Sequence, residues 1–209
     1  MSIIASNSGT NYTPVPAGTY AARCYSMIHI GTVIENYMGE DKEMNKVRIT
    51  WELPTELKVF KEENGEQPYS VSREFTLSMN EKANLRKFLE GWRGKGFTEE
   101  EAKSFDITKL LGKPCLLSII HKANKQGNLY AVINGASTLP KGMECPPQIN
   151  ADFEFNWENF DQEKFDKLPD WLKDKMKTSN QYKIYTQPEH SEINTDAGYT
   201  ASVSDDLPF

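Results

Sequence analysis

The clearest pattern in the chain is a strict alternation. Lys46, Arg48 and Thr50 interleave with Val47, Ile49 and Trp51, the period-two signature of a strand with one buried face. Similar strand-prone runs recur before and after it. One extends from Tyr20 to about Ile34, another is "YSVSREFTLS", and two more are "CLLSIIHK" and "NLYAVINGA". The basic, glycine-containing stretch "KANKQGN" joins the last two and reads as a hairpin loop. Between the third and fourth runs the period changes. Leu85, Phe88, Leu89 and Trp92 fall at i, i+3, i+4 and i+7, one face of a helix. Ser78 (with Glu81 three residues on) or Asn80 is placed to cap that helix, and Gly91 and Gly94 mark its end. Thr98 and Glu101 have capping-box spacing and start a second, short helix. "DITKLLGKP" adds one more turn.

Strand, strand, strand, helical segment, strand, strand is the order of a small Greek-key barrel. The expected fold is therefore mainly β with helices: a five-stranded OB-fold barrel, a helical insertion between strands 3 and 4, and a C-terminal helical extension. An antiparallel α+β sandwich is the competing arrangement. The expected divisions are a flexible leader (1–16), a barrel domain (17–140), an extension packed on it (141–178) and a disordered acidic tail (179–209). The extension contains Phe160, Phe165, Leu168, Trp171, Leu172 and Met176, interrupted at Pro169, and reads as one or two short helices. A chain of 209 residues suits one domain with such additions.

Charge separates the tail from the rest. Residues 1–150 carry 18 Lys/Arg against 17 Asp/Glu, whereas residues 151–209 carry 6 against 13. From residue 186 onward there are five acids and no Lys or Arg. Such asymmetry points to a balanced domain with an acidic interaction tail. No apolar run reaches the length of a membrane span, and the N-terminus lacks the basic and apolar regions of a secretory signal. Three scattered cysteines, Cys24, Cys115 and Cys145, read as reduced thiols of a cytoplasmic protein.

Catalytic motifs are missing. His29, His121 and His190 are isolated, and there is no metal-binding, phosphate-loop or nucleophile-elbow signature. No cofactor is expected. Basic and aromatic residues on the strands instead suit single-stranded nucleic acid, which is held by cations along its backbone and by aromatic platforms under its bases. The candidates are Arg23, Tyr37, Lys42, Lys46, Arg48, Arg73, Phe75, Lys122, Lys125 and Tyr130. Lys46, Arg48, Lys122, Lys125 and Tyr130 are favoured, because the first strands and the last hairpin line the usual face of such a barrel. Trp51 shares a face with Val47 and Ile49 and reads as core. "LRKFLEGWRGKGF" reads as an amphipathic helix with a solvated basic edge.

The final residues, Asp205, Asp206, Leu207, Pro208 and Phe209, place two acids before an apolar tip and a free carboxylate. That combination suits a partner with an apolar pocket and a basic rim. This ending resembles the tail tip of bacterial single-stranded DNA-binding proteins and of phage counterparts of the T7 type. "PVPAGTYAAR", "LRKFLEGWRGKGFTEEE" and "LLGKPCLLSIIHKANKQGNLYAVING", within residues 14–139, are similar to a family of phage replication-module proteins with an OB-fold. The resemblance implies a non-enzymatic protein in the bacterial host cytoplasm. It would coat single-stranded DNA without strong sequence preference, self-associate on the strand, and recruit replication or recombination proteins through its tail. An adaptor that binds only proteins is the alternative.

Overall fold

The computed structural model describes residues 14–187. It is an α+β protein built on an antiparallel sheet. Strands β1 (Gly18–Tyr37) and β2 (Glu40–Val59) form a long hairpin. β3 (Glu66–Thr76), β4 (Pro114–Ala123) and β5 (Leu129–Ser137) complete a sheet of order β3-β2-β1-β4-β5. A short β6 (Phe153–Phe155) runs parallel to β1 at Ser26–Ile28, beyond the stretch of β1 that β4 occupies. Among the described residues no ladder joins β3 to β5. The sheet is therefore open along the line where the closed five-stranded barrel was expected. No helix among these residues is long and apolar enough to cross a membrane.

Helix α1 (Asn84–Arg93) packs against β3 and β5. Its stripe of Leu85, Phe88, Leu89 and Trp92 is buried, as the spacing predicts. Trp51, fully buried on β2, sits 5.5 Å from Phe88 and 5.6 Å from Trp92, ring centre to ring centre. Gly94 ends the helix in the left-handed region, as expected, but the N-terminal cap differs. The helix starts after Ala83 with no side-chain cap, so neither Ser78 nor Asn80 serves. Gly91 lies inside the helix, where a Cβ would fall 2.5 Å from the Ala136 carbonyl of β5. A bare backbone there lets helix and strand touch. α2 (Glu99–Lys103) opens with the expected Thr98–Glu101 capping box.

The opposite face of the sheet is covered too. α3 (Gln162–Asp166), α4 (Asp170–Lys177) and the link between them bury Phe165, Leu168, Leu172 and Met176 against Ile28, Ile30, Val33 and Phe155, and α5 (Asn180–Tyr185) adds the partly buried Tyr182. β1 supplies both cores because two bulges, between Cys24 and Ser26 and between His29 and Gly31, shift its alternation. α5 corrects the expected boundary at residue 178. Ser179 is fully buried and caps α5, and Gln181 accepts a hydrogen bond from the Thr32 N–H at 2.7 Å. Gly31, at φ +99°, makes room for this contact. The expected leader also ends earlier than residue 16, since Val15 is buried and its carbonyl lies 2.8 Å from His121 Nε2.

A strap of residues 145–152 crosses β1 and β2, and two charged side chains hold it. Arg23 donates to the carbonyls of Pro146, Cys145 and Gly112 at 2.5, 2.9 and 3.0 Å. Glu52, with no exposed surface, accepts from the backbone N–H groups of Ile149 and Asn150 at 2.6 and 2.8 Å. The three cysteines are free and buried. Burial pushes the Cys24 and Cys115 thiols well above their ordinary range, which makes them unreactive.

Candidate nucleic-acid interface

Three adjoining cavities meet at Arg73, two on the open line between β3 and β5 and one at the end of β3 beside the β1–β2 hairpin. The first, about 420 Å³, runs between Ser72–Glu74 of β3 and Tyr130–Asn134 of β5 and includes Lys122. The second, about 410 Å³, continues toward the end of the β1–β2 hairpin and includes Tyr37, Lys46 and Lys82. The third, about 230 Å³, lies over α1 and includes Asn84, Lys87 and Asn134. Together they form a groove across the unpaired edges of the sheet.

Arg73 occupies its centre for reasons visible in the register. It pairs with Ile49, and Phe75 pairs with Val47, so both point to the buried face of β3. At the sheet edge this direction carries the Arg73 side chain into the gap. Its guanidinium stands over Phe75 and Phe88, 4.8 and 5.5 Å from the ring centres. Nη1 donates to the Ile133 carbonyl of β5 at 3.0 Å. Burial holds its pKa below the ordinary arginine value, yet an arginine stays protonated at neutral pH. Among the described residues Arg73 has no carboxylate partner. Arg48, Arg86 and Arg93 each have at least one, and Arg23 is satisfied by its three carbonyls.

The other expected site residues divide into three groups. Lys122, Tyr130 and Lys125 are exposed; the first two line the groove and face each other across the β4–β5 ladder. Lys125 sits in the turn beyond them, a turn built by Asn124 accepting from the N–H groups of Gln126 and Asn128. Tyr37 and Lys42 stand together at the far end, with the ammonium 5.6 Å from the ring centre. The remaining four are engaged in holding the fold. Phe75 is buried at 2 % exposure, so it is no platform for a base. Arg23 clamps the strap. Lys46 lines the second cavity, but its ammonium is bonded to Glu35 at 2.8 Å. Arg48 lies on the face covered by α4, paired with Glu74 and 4.7 Å from the Trp171 ring centre.

Lys46 and Arg48 thus belong to an ion network beneath α4. Lys175 of α4 reaches Glu35 at 2.6 Å and Glu74 at 2.7 Å. Burial alone would raise the Glu35 carboxyl, but the hydrogen bonds from Lys175 and Lys46 outweigh it and hold it below the ordinary range. Burial alone would lower Lys175, but Glu35 and Glu74 hold it above the usual lysine value. A lowered carboxyl adds stability above its unfolded pKa, near 4.3, and that stability is lost as pH falls through the folded value. A raised lysine adds stability below its unfolded pKa and loses it as pH rises through the folded one. The urea midpoint is expected to drop below about pH 4, with a shallower drop in E35Q. Identical acid limbs for the two proteins would contradict this.

Sequence reasoning missed Lys82, Asn84, Lys87 and Asn134. The basic edge of α1 was the available signal. Of its four cations, Arg86 and Arg93 are tied to acids and to the chain around α2, and Lys95 lies 3.7 Å from Glu101. Lys87 alone faces the groove. Among the described residues no group of three or more His, Cys, Asp or Glu side chains is placed to hold a metal. The tail tip, Asp205 to Phe209, lies outside the described residues. No protein-family model, curated protein or solved structure matches this chain.

Proposed function

We propose that the protein binds single-stranded DNA along the groove between β3 and β5. The observation that carries this reading is Arg73: a half-buried guanidinium, without a carboxylate partner among the described residues, where three cavities meet. Leaving such a charge under-partnered is costly to the fold, and an incoming nucleic acid supplies the missing acceptors. Lys82, Lys122 and Lys125 neutralise phosphates, and the exposed ring of Tyr130 stacks with a base. Glu35 and Glu74 also line the groove, but their charge is taken up by Lys46, Arg48 and Lys175. The strand order supports an OB-type barrel, a fold that is partly open and binds oligonucleotides. A duplex is too bulky for a gap that one arginine side chain spans, so single strands are preferred.

The acidic end of the chain, with Asp205, Asp206, Leu207, Pro208 and Phe209, is assigned to recruiting replication or recombination proteins. Binding through phosphate neutralisation releases counterions. In the double variant K122A/K125A the dependence of log affinity on log salt is expected to become shallower by about 1.4, at roughly 0.7 per phosphate contact on a single strand. Labelled-oligonucleotide titrations at several salt concentrations measure this. An unchanged slope would remove the β4–β5 hairpin from the interface.

A further inference from the structure

The smallest of the three cavities differs from the others in chemistry. α1 lines it with Asn84, Lys87 and Phe88, β5 with Asn134, Gly135 and Ala136, and Arg73 of β3 completes it. Asn84 and Asn134 are exposed, and neither side chain makes a hydrogen bond among the described residues. Neither is needed for its element. Asn84 is the first residue of α1 and not its cap. Asn134 is the unpaired residue of a bulge, because Ser118 pairs with Gly135 while Ile119 pairs with Ile133. Bulges of this kind re-aim a side chain. Gly135 has nothing within 4 Å of where a Cβ would stand, which keeps the space beside Asn134 open.

Two cations and two idle amides in one cavity match a particular base. Guanine presents two acceptors, N7 and O6, along one edge and donors from its N2 amino group on another. Lys87 and the guanidinium nitrogens of Arg73 not engaged by the Ile133 carbonyl suit the first edge, and an amide oxygen from Asn84 or Asn134 suits the second. Adenine replaces O6 with an amino donor, which meets the cations unfavourably, and its pairing of N6 and N7 with an asparagine amide is the competing outcome that the test separates. Pyrimidines lack N7. In a single strand all these edges are free to be read. Resting on the single-strand reading above, we propose that this cavity is a guanine-selective pocket within an otherwise sequence-tolerant groove.

The test is competition binding with the full chain, using a labelled oligo-dT and competitors that carry one central dG, one central dA or no substitution. A single dG is expected to tighten binding about tenfold, the worth of one good base contact, whereas dA gives no gain. In N84A/N134A the dG advantage, taken as the ratio of dG to unsubstituted competitor for the same protein, is expected to fall below about threefold. Circular dichroism confirms that the variant is folded; if it is not, the single variants N84A and N134A serve, each expected to reduce the advantage. Equal binding of dG and dT competitors by the wild type overturns the pocket, as does a dA advantage or a dG advantage that survives both substitutions. In each of those cases oligo-dT still binds and the groove stands. A wild type that binds no oligonucleotide overturns the groove itself, and the pocket with it.

Discussion

Replacing Arg73 with methionine is expected to lower affinity for single-stranded DNA about 10- to 100-fold while leaving the protein folded. The size follows from losing one charge-assisted contact, about 1.5–3 kcal/mol, at the centre of the groove. Methionine keeps an unbranched apolar stem over Phe75 and Phe88 and removes only the charged fork. The folded state loses one hydrogen bond, to the Ile133 carbonyl, and is relieved of a desolvated charge. The two nearly offset, so stability should stay within about 1 kcal/mol of wild type. A residue whose removal costs binding but not stability is one kept for function. Urea denaturation and oligonucleotide titration of the same preparation separate the two quantities. An R73M protein that unfolds easily, or binds as well as wild type, would contradict the assignment.

Arg23 should behave in the opposite way. R23M is expected to destabilise the protein by about 3–5 kcal/mol, because two carbonyls in the strap and that of Gly112 before β4 lose charged donors at once. The same strap depends on Glu52, whose buried carboxylate is anchored by the Ile149 and Asn150 backbone. Loosening one end exposes the other. The fraction that remains folded should bind single-stranded DNA with wild-type affinity, since Arg23 lines none of the three cavities of the groove. Thermal or urea unfolding gives the first number, and titration at a temperature where R23M is folded gives the second. A folded R23M with strongly weakened DNA binding would move the interface to the strap side.

These two arginines are alike in sequence, each set among strand residues, and only their surroundings tell them apart. The strands themselves were legible because Val47, Ile49 and Trp51 keep one phase over a buried face, and α1 was legible through Leu85, Phe88, Leu89 and Trp92. The choice between sheet faces was not. Lys46 and Arg48 read as a free basic face, yet α4 covers that side, and their partners include Glu74 and, through Glu35, the distant Lys175. No local spacing encodes a contact across more than a hundred residues. Phase was also lost where chains bulge. Two shifts in β1 send its apolar residues to both cores, and the bulge at Asn134 puts an amide into the groove that alternation would not place there. The β4–β5 hairpin fared better. Lys122, Lys125 and Tyr130 lie near a loop, where side chains are exposed on either face, so the expected exposure of these residues did not depend on phase.

Tryptophan is a poor reporter for this interface. Trp51 and Trp92 are buried, Trp171 is on the α4 side, and none of the four lines the groove. The most direct test is therefore fluorescence anisotropy with a labelled oligonucleotide, single-stranded and as a duplex, titrated with wild type and R73M at low and moderate salt. The account predicts that wild type binds the single strand more tightly than the duplex, that salt weakens this binding, and that R73M largely loses it. Folded wild type that ignores the single strand at low salt, or binds duplex equally well, would contradict it.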